Sequence, residues 1–139
     1  MIVVDTNVVS EIMKPAPAPV VRDWLLGQRE AQLFTTSITV AEILYGIERL
    51  PEGQRKDSLR TAATDVFTSF DDHVLPFDHD AAAAYAALVH LRDQRGLPIA
   101  GFDAQIAAIC ITHHATLSTR NVQDFKHTGI KVLNPWKAT

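Results

Sequence analysis

Of the 16 acidic residues in a chain of 139, four stand where an apolar segment gives way to a turn or a helix. Asp5 follows Ile2-Val3-Val4, Glu42 comes shortly after AQLFTTS, Asp103 is the second residue of the segment FDAQIAAICITHH, and Asp124 lies just past ATLST. If the apolar segments are strands of one parallel sheet, the four carboxylates share the rim formed by the strand carboxyl ends, where such sheets bind ligands. Thr6, Ser37, Thr119 and Asn121 add hydroxyl and amide groups on the same side. Gathered carboxylates repel and raise one another's pKa unless a cation offsets the charge. With oxygen donors and no converging His or Cys, the set suits a hard ion, Mg²⁺ or Mn²⁺, rather than Zn²⁺. Such ions activate water and neutralise the charge that develops in an in-line phosphoryl displacement.

Each acid also has an ordinary structural reading. Asp5 or Thr6 can cap the first helix, Thr39 and Glu42 match the S/T-x-x-E capping box, and Asp103 can complement a helix dipole. Asp124 can be a solvated loop acid. Asp103 discriminates best, because it precedes an almost wholly apolar helix, where a charge needs a partner.

The elements that must carry these residues are legible from periodicity. Ile2-Val3-Val4 is an unbroken β-prone run, as in a strand covered on both faces. Val8, Val9 and Ile12 follow at helical spacing until the prolines of KPAPAPVV end the helix. Pro19 starts a second helix carrying Val20, Trp24 and Leu25, and Gly27 closes it. AQLFTTS reads as the second strand. Thr39 through Leu50 forms a third helix with Val40, Ile43, Leu44 and Ile47 inward. PEGQ breaks it before a surface helix from Arg55 to Phe70. HVLPF is a short strand, and Asp78 or Asp80 caps an alanine-rich helix that Gly96 and Pro98 end. Residues 102–114 form a buried helix, and ATLST and IKVLN supply the last two strands. Strands alternating with helices predict an α/β fold, a three-layer α/β/α domain around a central parallel sheet. One domain is expected to span residues 1–139.

Composition limits the partners. The net charge is −3, so no basic field grips a polyanion unaided, and a phosphodiester substrate needs bound cations. Cys110 is the single cysteine and sits between Ile109 and Ile111 as a core filler, which fits a reducing, cytoplasmic setting. The apolar start is too short for a signal peptide, and no stretch approaches the ~18 apolar residues of a membrane span. The expectation is a soluble protein that is not exported.

Taken in order, VVDTNVVSEI, TTSITVAEILYGI, PIAGFDAQIAAI, LSTRNVQDF and the terminal VLNPW resemble the successive signature blocks of PIN-domain ribonucleases, in particular the VapC and FitB type toxins of bacterial toxin–antitoxin pairs. The resemblance covers the whole chain. It implies a sheet ordered 3-2-1-4-5, a homodimer, and a small antitoxin with a DNA-binding end and a tail that covers the cleft. By the resemblance, Asp5, Glu42 and Asp103 take the family's metal-site acids, Asp124 takes the fourth, and Thr6 and Thr119 support them. Asn121 stands where some relatives carry an aspartate, a weaker ligand position for a second ion. On this reading the protein is a Mg²⁺- or Mn²⁺-dependent endoribonuclease. Asp5 and Asp103 hold the ion, Glu42 holds or deprotonates the attacking water, and Asp124 with Asn121 completes the shell or a second ion. Arg120, beside the acidic rim, is the candidate substrate contact.

The same residues admit rival readings. A PIN-like module can bind RNA or protein without cutting, and Asn121 keeps that open. A metal phosphatase usually shows a second aspartate two positions after a nucleophilic one, where this chain has Asn7. His79-Asp80 is a weak HD pair, with Asp80 better explained as a cap. Trp24, Phe67 and Trp136 read as core or interface side chains rather than stacking platforms, and Arg49, Arg92 and Arg95 as solvated surface charges.

Overall fold

The computed structural model describes residues 1–137, so the last two residues of the expected domain lie outside the described part. The elements run β1 (Ile2–Val4), α1 (Thr6–Ile12), α2 (Pro19–Leu26), β2 (Leu33–Thr36), α3 (Ser37–Glu48), α4 (Gln54–Phe70), β3 (Val74–Leu75), α5 (His79–Gln94), α6 (Gly101–His113), β4 (Thr116–Ser118) and β5 (Lys131–Leu133). All strand pairs are parallel and the sheet order is β3-β2-β1-β4-β5. Chain and sheet order therefore reverse at β1 and β4, which opens a crevice between the loops that follow them.

The short central strand organises both cores. Val3 and Val4 are each 0% exposed and point to opposite faces. Val3 packs with Leu88, Ile106, Ile109 and Leu117 under α5 and α6. Val4 packs with Val8, Val21, Ile43 and Ala63 under α1 to α4. Two helix layers thus cover one sheet, the three-layer α/β/α arrangement expected, and a continuous apolar run is what such a strand requires.

Helix α3 differs from the sequence expectation in two ways. It starts at Ser37, and Thr36 is its N-cap, its Oγ1 accepting the Thr39 N–H at 3.1 Å. Thr39 is therefore no cap, and Glu42 lies in the second turn, beyond capping-box reach. Its inward stripe is Thr39, Ile43 and Ile47, while Leu44 is 43% exposed. In α5 the N-cap is Asp78, which accepts from Ala81 N, so Asp80 is an exposed first-turn acid rather than a cap.

Ser118 Oγ on β4 is buried with no hydrogen-bond partner, alone in this among the described side chains. A buried hydroxyl without a partner has already lost its hydration. Ser118→Ala is expected to leave stability unchanged or raise it by up to ~1 kcal/mol in urea unfolding. A loss beyond ~2 kcal/mol would mean that the hydroxyl is bonded.

Candidate active site

The carboxyl ends of β1, β2 and β4 open onto a cavity of about 400 Å³ lined by Asp5, Thr6, Asn7, Ser10, Glu11, Lys14, Glu42, Asp103, Arg120, Asn121 and Trp136. Three of the expected acids, Asp5, Glu42 and Asp103, face it. Asp124 does not. It is exposed, on a 3₁₀ turn over Val122–Phe125, close enough for its charge to act on Asp5 and Asp103.

Asp5 does double duty. It is the N-cap of α1, its Oδ1 accepting Thr6 N–H at 2.8 Å, and its Oδ2 accepts the Thr119 hydroxyl at 2.7 Å. The cap reading is thus correct and incomplete, since the carboxylate is only 3% exposed and has a second fixed bond. Thr119 Oγ1 in turn accepts from Asn7 Nδ2 and from Asn121 N, both at 3.1 Å. Asn7 Oδ1 accepts Arg120 N–H at 3.2 Å, which ties the loop after β4 to the start of α1. Across the cavity, Thr6 Oγ1 donates to Glu42 Oε1 at 2.9 Å and lies 3.1 Å from Thr39 Oγ1.

Asp103 has no side-chain hydrogen bond among the described residues, although it sits in the first turn of α6, where backbone N–H groups favour an anion. Its pKa is nevertheless pushed up to about 6, by burial first and then by the charges of Asp5, Asp124 and Glu42. Repulsion and desolvation outweigh the helix end. Burial likewise raises Asp5, against its bonds from Thr119 and Thr6, and raises Glu42, against its bond from Thr6. Glu11 behaves oppositely: the Ala18 N–H first, then Lys14, lower its pKa. It is buried and binds Ala18 N and Lys14 Nζ, each at 3.1 Å, folding the proline elbow against the cavity.

The donor chemistry fits a hard divalent cation: carboxylate, hydroxyl and amide oxygens, with a charge repulsion that a cation would relieve. Among the described residues no group of three or more His, Cys, Asp or Glu is drawn together closely enough to hold an ion alone. An ion here would keep waters, as Mg²⁺ usually does.

Two cationic side chains face the acids. Lys14 is held by Glu11, and the Arg120 guanidinium lies 4.9 Å from the centroid of the Trp136 ring. Trp136 packs against the α1–α4 core, as expected, and also lines the cavity. Glu11 and Lys14 were not singled out by sequence, and Asn7 stood out only as the third residue of the Asp5-Thr6-Asn7 run, with no role in the site.

Fold and cavity together define an α/β/α domain with an acidic cleft at the carboxyl edge of its sheet. The chain belongs to the PIN domain family, whose model matches residues 2–131. It is 40% identical to the plasmid stability protein StbB of Pseudomonas syringae pv. tomato, over 99% of this chain and 100% of the relative. It is 36% identical to the VapC ribonuclease Y4jK of Sinorhizobium fredii over 99% of both chains. The toxin FitB of Neisseria gonorrhoeae is 35% identical over 98% of this chain and 99% of its own. A solved structure of FitAB bound to an IR36 DNA fragment superposes with a TM-score of 0.92 at 34% identity, covering 100% of this chain and 98% of that one. No described helix is long and apolar enough to cross a membrane.

Proposed function

We propose that the chain, as one domain over residues 1–139, is a divalent-metal-dependent endoribonuclease and the toxin half of a toxin–antitoxin pair working in the cytoplasm. The observation that carries this reading is the meeting of Asp5, Glu42 and Asp103 on one cavity that Arg120 and Lys14 also line. Its relatives carry the same assignment in their names, ribonuclease and toxin.

Asp5 and Asp103 would hold Mg²⁺ or Mn²⁺, and Asp124 with Asn121 would complete the shell or hold a second ion. When bound, the ion supplies positive charge to the phosphoryl group and lowers the pKa of water. Glu42, oriented by Thr6 and with its pKa raised chiefly by burial, accepts the proton of the attacking water. Thr119 and Thr6 fix the Asp5 and Glu42 carboxylates so that neither turns away. Arg120, braced on Trp136, meets a phosphate oxygen of the RNA. Because water rather than the ribose 2′-hydroxyl is the nucleophile, the products carry a 5′-phosphate and a 3′-hydroxyl.

A small antitoxin with a DNA-binding domain is the natural partner, in line with the FitAB complex on DNA. A homodimer is supported by the exposed Leu44 and Tyr45 on α3 and Phe102 on α6. A non-cutting RNA-binding module is the second reading, because among the described residues Asp5, Glu42 and Asp103 share the cavity without forming a tight ligand cluster.

One experiment separates these readings. Purified protein is incubated with total RNA in Mg²⁺, Mn²⁺ or chelator, and the new 5′ ends are mapped, with the antitoxin from the adjacent reading frame present or absent. Ion-dependent cleavage to 5′-phosphate ends is expected from the free protein and none from the complex. RNA bound but uncut in Mn²⁺ would favour the binding module. Equal cleavage by free protein and complex would remove the antitoxin claim and leave the nuclease claim intact.

A further inference from the structure

Sequence alone places Arg92 among the solvated surface charges, yet the structure leaves it only 6% exposed. Among the described residues its guanidinium meets no carboxylate. It donates to three backbone carbonyls instead: Nε to Leu97 O at 2.6 Å, and Nη1 to Lys126 O at 2.7 Å and Asp124 O at 3.3 Å. Burying a cation without an anion is costly unless its donors are well used. Here they are spent on main chain.

The carbonyls belong to two connectors, one leading to Asp103 in the cleft and one carrying Asp124 outside its lining. Leu97 lies in the loop before α6, whose first turn carries Asp103. Asp124 and Lys126 belong to the turn after β4, and Asp124 is itself the fourth acid. Arg92 also accepts from Leu97 N–H through its own carbonyl at 2.9 Å, so Leu97 is pinned at both polar atoms. The Asp124 turn has little else of its own. Besides Arg92 it has Asp124 N to Asn121 O at 3.1 Å, Lys126 N to Gln123 O at 3.3 Å and the Thr128 hydroxyl donating to Phe125 O at 2.6 Å, with Phe125 anchoring it to the core by its side chain. Phe125 sets the depth of the turn. Arg92 joins its backbone to the connector that leads into the Asp103 helix.

We propose that Arg92 is a positioning residue that fixes the Asp124 turn relative to the start of α6, and so sets how far the exposed Asp124 carboxylate lies from Asp103 in the cleft. This rests on the nuclease reading through those two acids. Arg92 touches no substrate; it acts through Asp124.

The test measures Mn²⁺ affinity without RNA, by the electron paramagnetic resonance of the free ion, alongside RNA cleavage, for Arg92→Gln, Arg92→Lys, Asp124→Asn and Arg92→Gln/Asp124→Asn. Arg92→Gln is expected to weaken Mn²⁺ binding about tenfold, the usual scale for groups that orient ligands. Arg92→Lys keeps the charge and a donor for one carbonyl, and is expected to lose less. In the Asp124→Asn background, Arg92→Gln is expected to add less than about twofold, because both changes act through one carboxylate. Unchanged Mn²⁺ affinity in Arg92→Gln, or an equally large loss with and without Asp124, would overturn the proposal. Should Arg92→Gln not fold, the same comparison made with Arg92→Lys decides. A wild type that binds Mn²⁺ but does not cut RNA would sink the nuclease reading alone, and the Mn²⁺ affinities would still judge Arg92. A wild type that binds no Mn²⁺ overturns both.

Discussion

Asp103→Asn is expected to fold at least as stably as wild type in chelator and to cut RNA at least ~100-fold more slowly in Mn²⁺, since groups that merely orient metal ligands already cost 10- to 100-fold. The two halves of this result have one cause. Asp103 accepts no side-chain hydrogen bond among the described residues, so exchanging its carboxylate for an amide breaks no such bond. What the exchange removes is a half-buried charge crowded by Asp5, Asp124 and Glu42. In the free protein that charge is a burden. With a cation bound it becomes a ligand. Cleavage of a defined RNA under multiple-turnover conditions, paired with unfolding in chelator, reads both halves. Wild-type cleavage by a folded Asp103→Asn protein would return Asp103 to the status of a helix-end acid.

Asp5→Asn, the more obvious variant, is less clean. Asparagine caps helices about as well as aspartate, but here both carboxylate oxygens are acceptors, from Thr6 N–H and from the Thr119 hydroxyl. Thr119 Oγ1 already accepts from Asn7 and Asn121, and its one proton goes to Asp5. An amide has a single acceptor oxygen, so one of these partners loses its bond. A fall in activity in Asp5→Asn would therefore mix the loss of charge with a disturbed loop.

How far the sequence carried depends on the kind of contact involved. The parallel three-layer architecture was legible because Val3 and Val4, adjacent and both apolar, need cover on both sides, and alternating strands and helices supply it. The joint location of Asp5, Glu42 and Asp103 was legible from the same logic, because the carboxyl ends of parallel strands share an edge. The helix start at Ser37 was not. TTSIT offers several hydroxyls near free N–H groups, and which one caps depends on where β2 leaves the sheet. Arg92 was hidden for a stronger reason. Its acceptors are main-chain carbonyls, two of them more than thirty residues further along the chain, and carbonyls have no side-chain signature. Trp136 was hidden because a ring that packs on the core with one part and lines a cleft with another has the same sequence pattern as one that only packs.

In chelator, the protein is expected to lose stability as pH rises from about 5 to 7, and Mn²⁺ is expected to remove that loss. Asp103, Asp5 and Glu42 all have folded-state pKa values above their ordinary ones, chiefly through burial, Asp103 at about 6. For a carboxyl raised in this way, the favourable contribution is complete below the unfolded-state pKa and disappears as pH climbs through the folded-state value. Glu11, with its pKa lowered, acts in the opposite direction, but its stabilisation is already complete above the ordinary glutamate range and does not blur this window. Asp103 alone is expected to account for ~1 kcal/mol of the fall, less than its full shift implies because it is half open to solvent. A divalent ion binds only the ionised acids, so its effect on the thermal midpoint grows over the same interval and is larger at pH 7.5 than at pH 5. Thermal unfolding of wild type and Asp103→Asn across this range, in chelator and in Mn²⁺, measures both slopes. Asp103→Asn should flatten the chelator curve and shrink the Mn²⁺ shift together. A flat wild-type curve in chelator, or a Mn²⁺ shift of equal size at both ends of the range, would show that the acids at this rim neither repel one another nor share a cation.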